Sequence, residues 1–144
     1  MLGNEIITYG EWRGSGIELE GSNRNILRGN DLSGTPLGVF VRSGVANELR
    51  RNSAIGAHAD NFDGPRDGFL VSAAAQRTVL HGNTATGFDQ NGFSIYGGRA
   101  AMGNNAAIDN GVFGIDALAT VIDLGGNRAS GNGGPEQCRN VQCR

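Results

Sequence analysis

The sequence predicts a single all-β domain, a parallel β-solenoid of about five to six coils. The first observation behind this prediction is a repeat of about 22 residues. Its mark is an Asn that recurs at intervals of 22, 31, 22 and 22 residues, at Asn30, Asn52, Asn83, Asn105 and Asn127. A unit of this length is too short for a strand–helix–strand unit, which needs about 30 residues. The second observation is that 25 of the 144 residues are Gly, which is typical of a chain that turns every few residues.

The third observation is a Gly-apolar-x-apolar signature about twelve residues before each Asn. It occurs in five copies: GIEL (16–19), GVFV (38–41), GFLV (68–71), GFSI (92–95) and, less regularly, GIDA (114–117). An apolar alternation with a period of two residues, bounded by Gly, Asn and Ser, predicts a short strand that is buried on one face. Each coil therefore begins with one such strand.

A second and a third strand flank the Asn mark. Three residues before the mark, an apolar side chain is predicted to point into the coil at Leu27, Leu49, Leu80, Met102 and Leu124. Two residues after it stand Leu32, Ala54, Ala85, Ala107 and Ala129. We expect the Asn itself to occupy a corner, in a left-handed conformation, with its amide bonded to backbone groups and to the next Asn amide. This predicts a structural rather than a catalytic Asn row.

The segment GSGIELEGSNRNILRGNDLSG (14–34) resembles the repeat of right-handed parallel β-helix proteins of the pectate lyase-like superfamily. The resemblance covers roughly residues 14–132, and residues 126–143 are similar to the C-terminal ends of bacterial β-helix repeat proteins. It implies a right-handed β-helix. The family's enzymes are mostly polysaccharide lyases, hydrolases and epimerases that act from a side groove, but no catalytic motif carries over to this chain. The competing fold is a leucine-rich repeat, whose additional Leu positions are here filled mostly by other residues.

The chain is predicted to have three parts. Residues 1–13 form an N-terminal cap or partial first coil, residues 14–132 form the repeats, and residues 133–144 form a tail. The only two cysteines, Cys138 and Cys143, lie in this tail. A disulfide is the favoured interpretation, ahead of two free thiols and of a metal site. No leader sequence and no apolar run long enough for a membrane span occur, so we expect either a cytoplasmic protein or a domain of a secreted one.

The charged residues are unevenly distributed along the repeat, and the favoured interpretation is a solvated, mutually neutralising surface. All twelve basic residues are Arg, and the net charge of −2 argues against nonspecific nucleic-acid binding. Offsets from the Asn mark predict that several Arg side chains gather on one side, either as a solvated surface or as a face that binds an acidic polysaccharide. Arg suits carboxylates and sulfates because its planar guanidinium binds them in a bidentate manner. The candidate ligand-binding residues are Arg24, Arg28, Arg50, Arg66, Arg77, Arg99 and Tyr96.

An outward apolar row is predicted on the first strands of neighbouring coils, at Phe40, Leu70 and Tyr96. Such a row usually marks a contact. The favoured interpretation is a homo-oligomer interface, with stacking on sugar rings or burial under an inserted loop as the alternatives.

The inserted loop is predicted at residues 57–67, where one repeat interval is 31 rather than 22 residues long. It contains the densest titratable cluster, and its candidate catalytic residues are His58, Asp60, Asp63 and Asp67. Calcium is only weakly supported, because DNFD does not match a calcium-binding EF-hand loop, and no other cofactor is expected. The predicted function is a structural or carbohydrate-binding module. The alternative is a polysaccharide lyase, hydrolase or epimerase acting beside this loop.

Overall fold

The computed structural model describes residues 5–7, 14–57 and 63–144, and every regular element within them is a β-strand. All strand pairs are parallel, and the chain visits three sheets in the same order in each coil. The fold is therefore the all-β parallel solenoid that the repeat predicts, with about five turns. No helix in these residues could cross a membrane.

Three stacked sheets form the sides of the solenoid. Sheet I contains β2 (Ser15–Leu19), β5 (Leu37–Val41), β9 (Phe69–Val71), β13 (Phe93–Ile95), β16 (Ile115–Ala117) and β19 (Cys138–Arg139). Sheet II contains β3 (Ile26–Arg28), β7 (Glu48–Arg50), β11 (Val79–His81), β14 (Ala101–Gly103) and β17 (Ile122–Asp123). Sheet III contains β1 (Glu5–Ile7), β4 (Asp31–Thr35), β8 (Ser53–Gly56), β12 (Thr84–Thr86), β15 (Ala106–Ile108) and β18 (Arg128–Ser130). A short ladder of β6 (Gly44–Val45) and β10 (Ala75–Gln76) lies between sheets I and II in the chain.

The core is a column of apolar side chains that point inward from the three sheets. In sheet II, Leu27, Leu49, Leu80 and Met102 lie opposite one another in register and are almost completely buried. The inward positions predicted for these four residues are confirmed. The prediction is wrong for Leu124, whose side chain is 55% exposed, because β17 places Asp123 opposite Met102 instead.

Hydrogen bonds to the Asp123 carboxylate explain why Asp123, and not Leu124, lies opposite Met102 in the last coil. An Asp123 carboxylate oxygen accepts hydrogen bonds from the Gly125 N–H (2.8 Å) and from the Asn127 amide (3.1 Å), and the other oxygen accepts one from the Gln142 N–H (2.8 Å). A Leu at this position could accept none of these bonds. The final turn therefore shifts by one residue relative to the repeat.

The Gly of the Gly-apolar-x-apolar signature is required by close packing between sheets I and III. A Cβ built on Gly68 would lie 2.5 Å from the Cβ of Ala85 and 2.5 Å from the carbonyl oxygen of Gly92 in the next coil. Small residues in both sheets thus face each other across a narrow core. This explains why Gly and Ala recur together in the repeat.

The Asn row is a buried ladder of amides. In its centre, the Asn83 amide donates to the Leu49 carbonyl (2.9 Å) and to Oδ1 of Asn105 (3.1 Å), while its own Oδ1 accepts from the amide and the N–H of Asn52 (2.9 and 3.0 Å). The predicted ladder is confirmed.

The predicted left-handed conformation of these Asn residues is wrong. Positive φ occurs one residue earlier, at Gly29, Arg51, Gly82, Asn104 and Gly126. The turn made at that position allows the following Asn to direct its amide into the solenoid, where the ladder satisfies backbone groups that no strand reaches.

The nine additional residues of the long repeat interval are divided unequally between two turns. Paired residues of adjacent coils are 22 positions apart before the insertion, as for Ile17 and Val39, but 30 apart for Val39 and Phe69 and 31 apart for Gly44 and Ala75. Eight of the nine additional residues therefore precede β9, and one lies in the turn that follows it. Residues 58–62, which include His58 and Asp60, lie outside the described residues, as do residues 1–4 and 8–13 of the predicted cap.

The tail folds onto the last coil. Cys138 and Cys143 form a disulfide, and Cys138, Val141 and Cys143 pack against the core. Beyond the disulfide, the Arg144 N–H donates to the Asn127 carbonyl (3.1 Å). The tail thus covers apolar side chains and backbone groups that the end of a solenoid would otherwise expose.

Candidate functional site

A shallow cavity of about 320 Å³ lies on the outer face of sheet I, in the coils that follow the insertion. Its lining combines carboxyl, hydroxyl, amide and apolar groups, from Asp67, Gln90, Asn91, Ser94, Tyr96, Val112, Phe113 and Asp116. We call it the sheet I cavity. Parallel stacking brings these residues together, because side chains one coil apart in sequence become neighbours across a strand spacing of about 4.8 Å.

Asp67 is the most buried charged residue of the cavity, with 4% of its surface exposed. Its Oδ1 accepts hydrogen bonds from the Asn91 N–H and the Ser94 hydroxyl, both at 3.0 Å. Burial raises the pKa of the Asp67 carboxyl, and the charge of Asp116 raises it further, while the two hydrogen bonds act in the opposite direction. Desolvation prevails, and the protonated form is favoured relative to an exposed Asp.

Tyr96 and Asp116 form the second polar pair of the cavity. The Tyr96 hydroxyl donates to Oδ2 of Asp116 at 2.9 Å, and Nη1 of Arg139 lies 3.3 Å from Oδ1 of the same carboxylate. Partial burial, followed by the nearby carboxylates, raises the pKa of the Tyr96 phenol. The Arg139 guanidinium also stacks over the Phe113 ring at 4.3 Å, so that face of the ring is already covered.

The chemistry of the cavity suits a ligand with several hydroxyl groups. Carboxylate and amide oxygens accept hydrogen bonds, the amide nitrogens and hydroxyls donate them, and Val112 supplies an apolar contact. No group of three or more His, Cys, Asp or Glu side chains that could hold a metal ion occurs in residues 14–57 and 63–144.

The structure corrects the predicted outward apolar row. Phe40 lies opposite Leu70, but Leu70 lies opposite Ser94, and Tyr96 is two residues further along the chain. Leu70 is also only 8% exposed, and the Phe40 ring is stacked under the Arg42 guanidinium at 4.5 Å. The inward pairing of Phe69 with Phe93 sets this register, so Ser94 must take the outward position.

Five of the six predicted Arg residues lie around sheet II. Arg24, Arg77 and Arg99 occupy equivalent corners before the strands of this sheet, with φ of 55°, 54° and 53°. Arg28 and Arg50 are neighbours at the other end of those strands, and Nε of Arg50 pairs with Glu48 at 2.7 Å. The Arg residues around sheet II thus form two groups, one at each end of its strands.

The sixth predicted Arg lies elsewhere. Nη1 of Arg66 lies 3.4 Å from Oδ2 of Asp89, and the backbone N–H of Arg66 donates a hydrogen bond to Oε1 of Gln90 at 3.0 Å. Both contacts lie at the edge of the sheet I cavity. Of the predicted catalytic residues, Asp67 lies in the cavity, Asp63 is exposed, and His58 and Asp60 are not described. The structure thus assembles the cavity around Asp67 and Tyr96.

Sequence reasoning missed Ser94 and Asp116. Both occupy the outward position of the Gly-apolar-x-apolar signature, where the two preceding coils have Phe40 and Leu70. The change from an apolar to a polar residue at this outward position was the sequence signal that could have identified Ser94 and Asp116 as site residues.

The comparisons with known proteins are consistent with this architecture. Residues 2–136 match the family model described as a right-handed beta helix region. No curated protein and no solved structure matches the chain. Because the family match extends over most of the 144 residues, the chain belongs to the right-handed β-helix family.

Proposed function

We propose that this protein is a carbohydrate-binding β-helix module, with the sheet I cavity as its binding site. The observation that carries the proposal is the convergence of Asp67, Ser94, Tyr96 and Asp116 from different coils on one open cavity. Small-molecule sites usually combine a concave surface with a few convergent polar groups. A sugar ring offers the matching set of hydroxyl donors and acceptors.

The rigidity of the scaffold supports this proposal. Ser94 lies within β13 and Asp116 within β16, and the hydrogen bonds that link Asp67 to Ser94 and Tyr96 to Asp116 hold the four side chains in place. A site built on paired strands loses little conformational entropy when a ligand binds. Such a site favours recognition of a ligand of fixed shape.

The test is a binding titration with a panel of neutral and acidic oligosaccharides, monitored by NMR chemical shifts. We expect Tyr96→Phe to weaken the binding of a ligand that the parent protein binds, because the hydroxyl is lost while the ring remains. The matched control is Thr86→Val, which removes a half-buried hydroxyl from sheet III. An equal loss in both variants, or no binding of any oligosaccharide, would favour a purely structural role.

A second candidate function is hydrolysis of a glycosidic bond. It is favoured by the presence of two carboxyl groups, Asp67 and Asp116, in one cavity, and by the raised pKa of the buried Asp67 carboxyl, since a carboxyl that holds its proton more tightly is better suited to act as a general acid. The test is turnover of oligosaccharides that bind. Loss of turnover with retained binding in Asp67→Asn would favour the enzyme, and binding without turnover in the parent protein would favour the module.

A further inference from the structure

The outer face of sheet III, from β4 to β18, carries charged side chains only at its two ends. The outward side chains form two columns that run along the solenoid axis, because the strands pair in register. Asp31 is exposed at one end of the first column, and Arg128 is exposed at the other end. The first column consists of Asp31, Ser53, Thr84, Ala106 and Arg128, and the second consists of Ser33, Ile55, Thr86, Ile108 and Ser130.

The residues between the two charged ends are apolar or small. Ile55 and Ile108 are 52% and 37% exposed, and the other side chains in this stretch are Ser, Thr or Ala. Sheet II also has exposed apolar side chains at its two ends, but Glu48 and Arg50 lie between them. A flat surface that exposes apolar groups and lacks charges usually marks a contact with another macromolecule.

The order of residues in the two columns is self-complementary. β12 is the central strand of the five from β4 to β18. A two-fold axis along β12 reverses the order of the coils in a second copy of the chain and keeps the strand direction, so that each column faces its own reversed copy. Ile55 then lies over Ile108 of the second copy, Thr86 over Thr86, and Asp31 over Arg128.

The charges at the two ends favour this orientation of the second copy. Among the described residues, neither Asp31 nor Arg128 has an ion pair. When the solenoid axes are antiparallel, the two residues form one contact of opposite charge at each end of the face. A two-fold axis along the solenoid axis would instead place both Asp31 carboxylates at one end and both Arg128 guanidinium groups at the other, which costs free energy through repulsion.

The charged residues at the corners beside the face do not oppose this orientation. Arg51 lies before β8, and Asp109 lies after β15. The same two-fold axis brings Arg51 near Asn104 of the second copy, which has the equivalent position two coils later, and brings Asp109 near Gly56. Neither charged residue therefore meets a like charge.

We propose that sheet III is the interface of a two-fold dimer of this chain, in which the solenoid axes of the two copies are antiparallel. The six strands span about 24 Å along the axis, and about five residues of each coil span about 17 Å across it. Two such faces bury on the order of 1,000 Å² in total, which is less than a standard interface. We therefore expect a weak dimer, with a Kd on the order of 100 µM.

The geometry of the dimer limits its size. A two-fold contact uses the same surface of both copies, so no further copy can add to sheet III and the assembly is closed. Because only sheet III is covered, the sheet I cavity of each copy stays open. The dimer therefore presents two sheet I cavities.

Sedimentation velocity of the intact protein, from about 10 to about 500 µM, measures the assembly. Ile55→Lys places an unpaired charge in the face. The matched control is Ile122→Lys, which changes a side chain of equal exposure, 53% against 52%, on sheet II. We expect Ile55→Lys to raise the Kd of the dimer at least about tenfold, because a charge would be buried without a partner, and the control to change the Kd less than about twofold.

The two charged ends allow a second test, which depends on a gain of assembly. Asp31→Arg alone places two Arg side chains at each end of the dimer, and Arg128→Asp alone places two Asp side chains there. Each variant should therefore be monomeric at concentrations where the parent protein dimerises. An equimolar mixture of the two variants forms pairs of opposite charge at both ends and should recover the dimer, which a failure to fold would not allow.

Recovery of the dimer in the mixture, together with its loss in Ile55→Lys, would support the proposal. A parent protein that stays monomeric over the whole concentration range would overturn it. Equal effects of Ile55→Lys and Ile122→Lys, or a dimer that neither change affects, would overturn it in favour of another surface. A mixture that remains monomeric would overturn the antiparallel orientation and with it the proposed interface.

Discussion

Replacement of Asn83 by Ala tests the idea that the amide ladder is a main source of stability. Asn83 is fully buried in the middle of the ladder, and its side chain takes part in four hydrogen bonds. The change removes the bond that the Asn52 N–H donates to Oδ1 of Asn83 and the bond that the Leu49 carbonyl receives from the Asn83 amide. It also deprives the side chains of Asn52 and Asn105 of one partner each.

The expected loss follows from these orphaned groups. A buried polar group without a partner costs about 1–3 kcal/mol, and some of the groups retain a second bond. We therefore expect Asn83→Ala to lower the free energy of unfolding by about 3–5 kcal/mol. This is a large part of the roughly 5–15 kcal/mol available to a domain.

Urea denaturation followed by circular dichroism measures this loss, with the slope of the transition compared between proteins. The matched control is Asn23→Ala, which removes an exposed side chain that accepts one hydrogen bond, from the Val45 N–H at 2.7 Å. We expect the control to cost about 1 kcal/mol or less. A loss for Asn83→Ala no greater than that of the control would refute the role assigned to the ladder.

Three further predictions concern the core and the sheet I cavity. Leu49→Ala should destabilise the protein by about 2–5 kcal/mol in the same urea assay, because it leaves a cavity in a fully buried column; a loss below about 0.5 kcal/mol would contradict the inward register. Gly68→Ala should cost about 1–3 kcal/mol through overpacking, and unchanged stability would show that sheets I and III can separate. Asp67→Asn retains an oxygen acceptor for Asn91 and Ser94 but cannot ionise. The folded-state pKa of Asp67 is raised above 3.8, so the parent protein should lose stability relative to this variant as the pH rises above that value. The expected loss is about 1.4 kcal/mol per unit of difference between the folded-state and unfolded-state pKa. Urea titrations at pH 4 and pH 7 measure it, and a gain in the stability of the parent relative to the variant would contradict the direction of the shift.

The fold could be predicted from the sequence because each coil repeats the same local pattern. The spacing of the Asn marks and the inward apolar positions determine which residues stack, as Leu27, Leu49 and Leu80 show. The errors occurred at single turns. Leu124 lies outside the core because Asp123, which accepts the hydrogen bonds of the last turn, takes the position opposite Met102. The left-handed conformation occurs at the residue before each Asn of the ladder and not at the Asn itself. Turn conformations depend on hydrogen bonds with the adjacent coil, which the repeat pattern does not specify.

The sequence by itself determined the all-β repeat, the buried Asn row and the presence of several Arg residues near one corner. Only the tertiary structure decided that Asp67, Ser94 and Asp116 share a cavity and that Tyr96 does not continue the row of Phe40. The physical reason lies in the range of the interactions. Apolar burial follows from a period within each coil, whereas a cavity or a charged face is made by side chains from different coils, whose relative positions depend on the strand register and on the turns between strands.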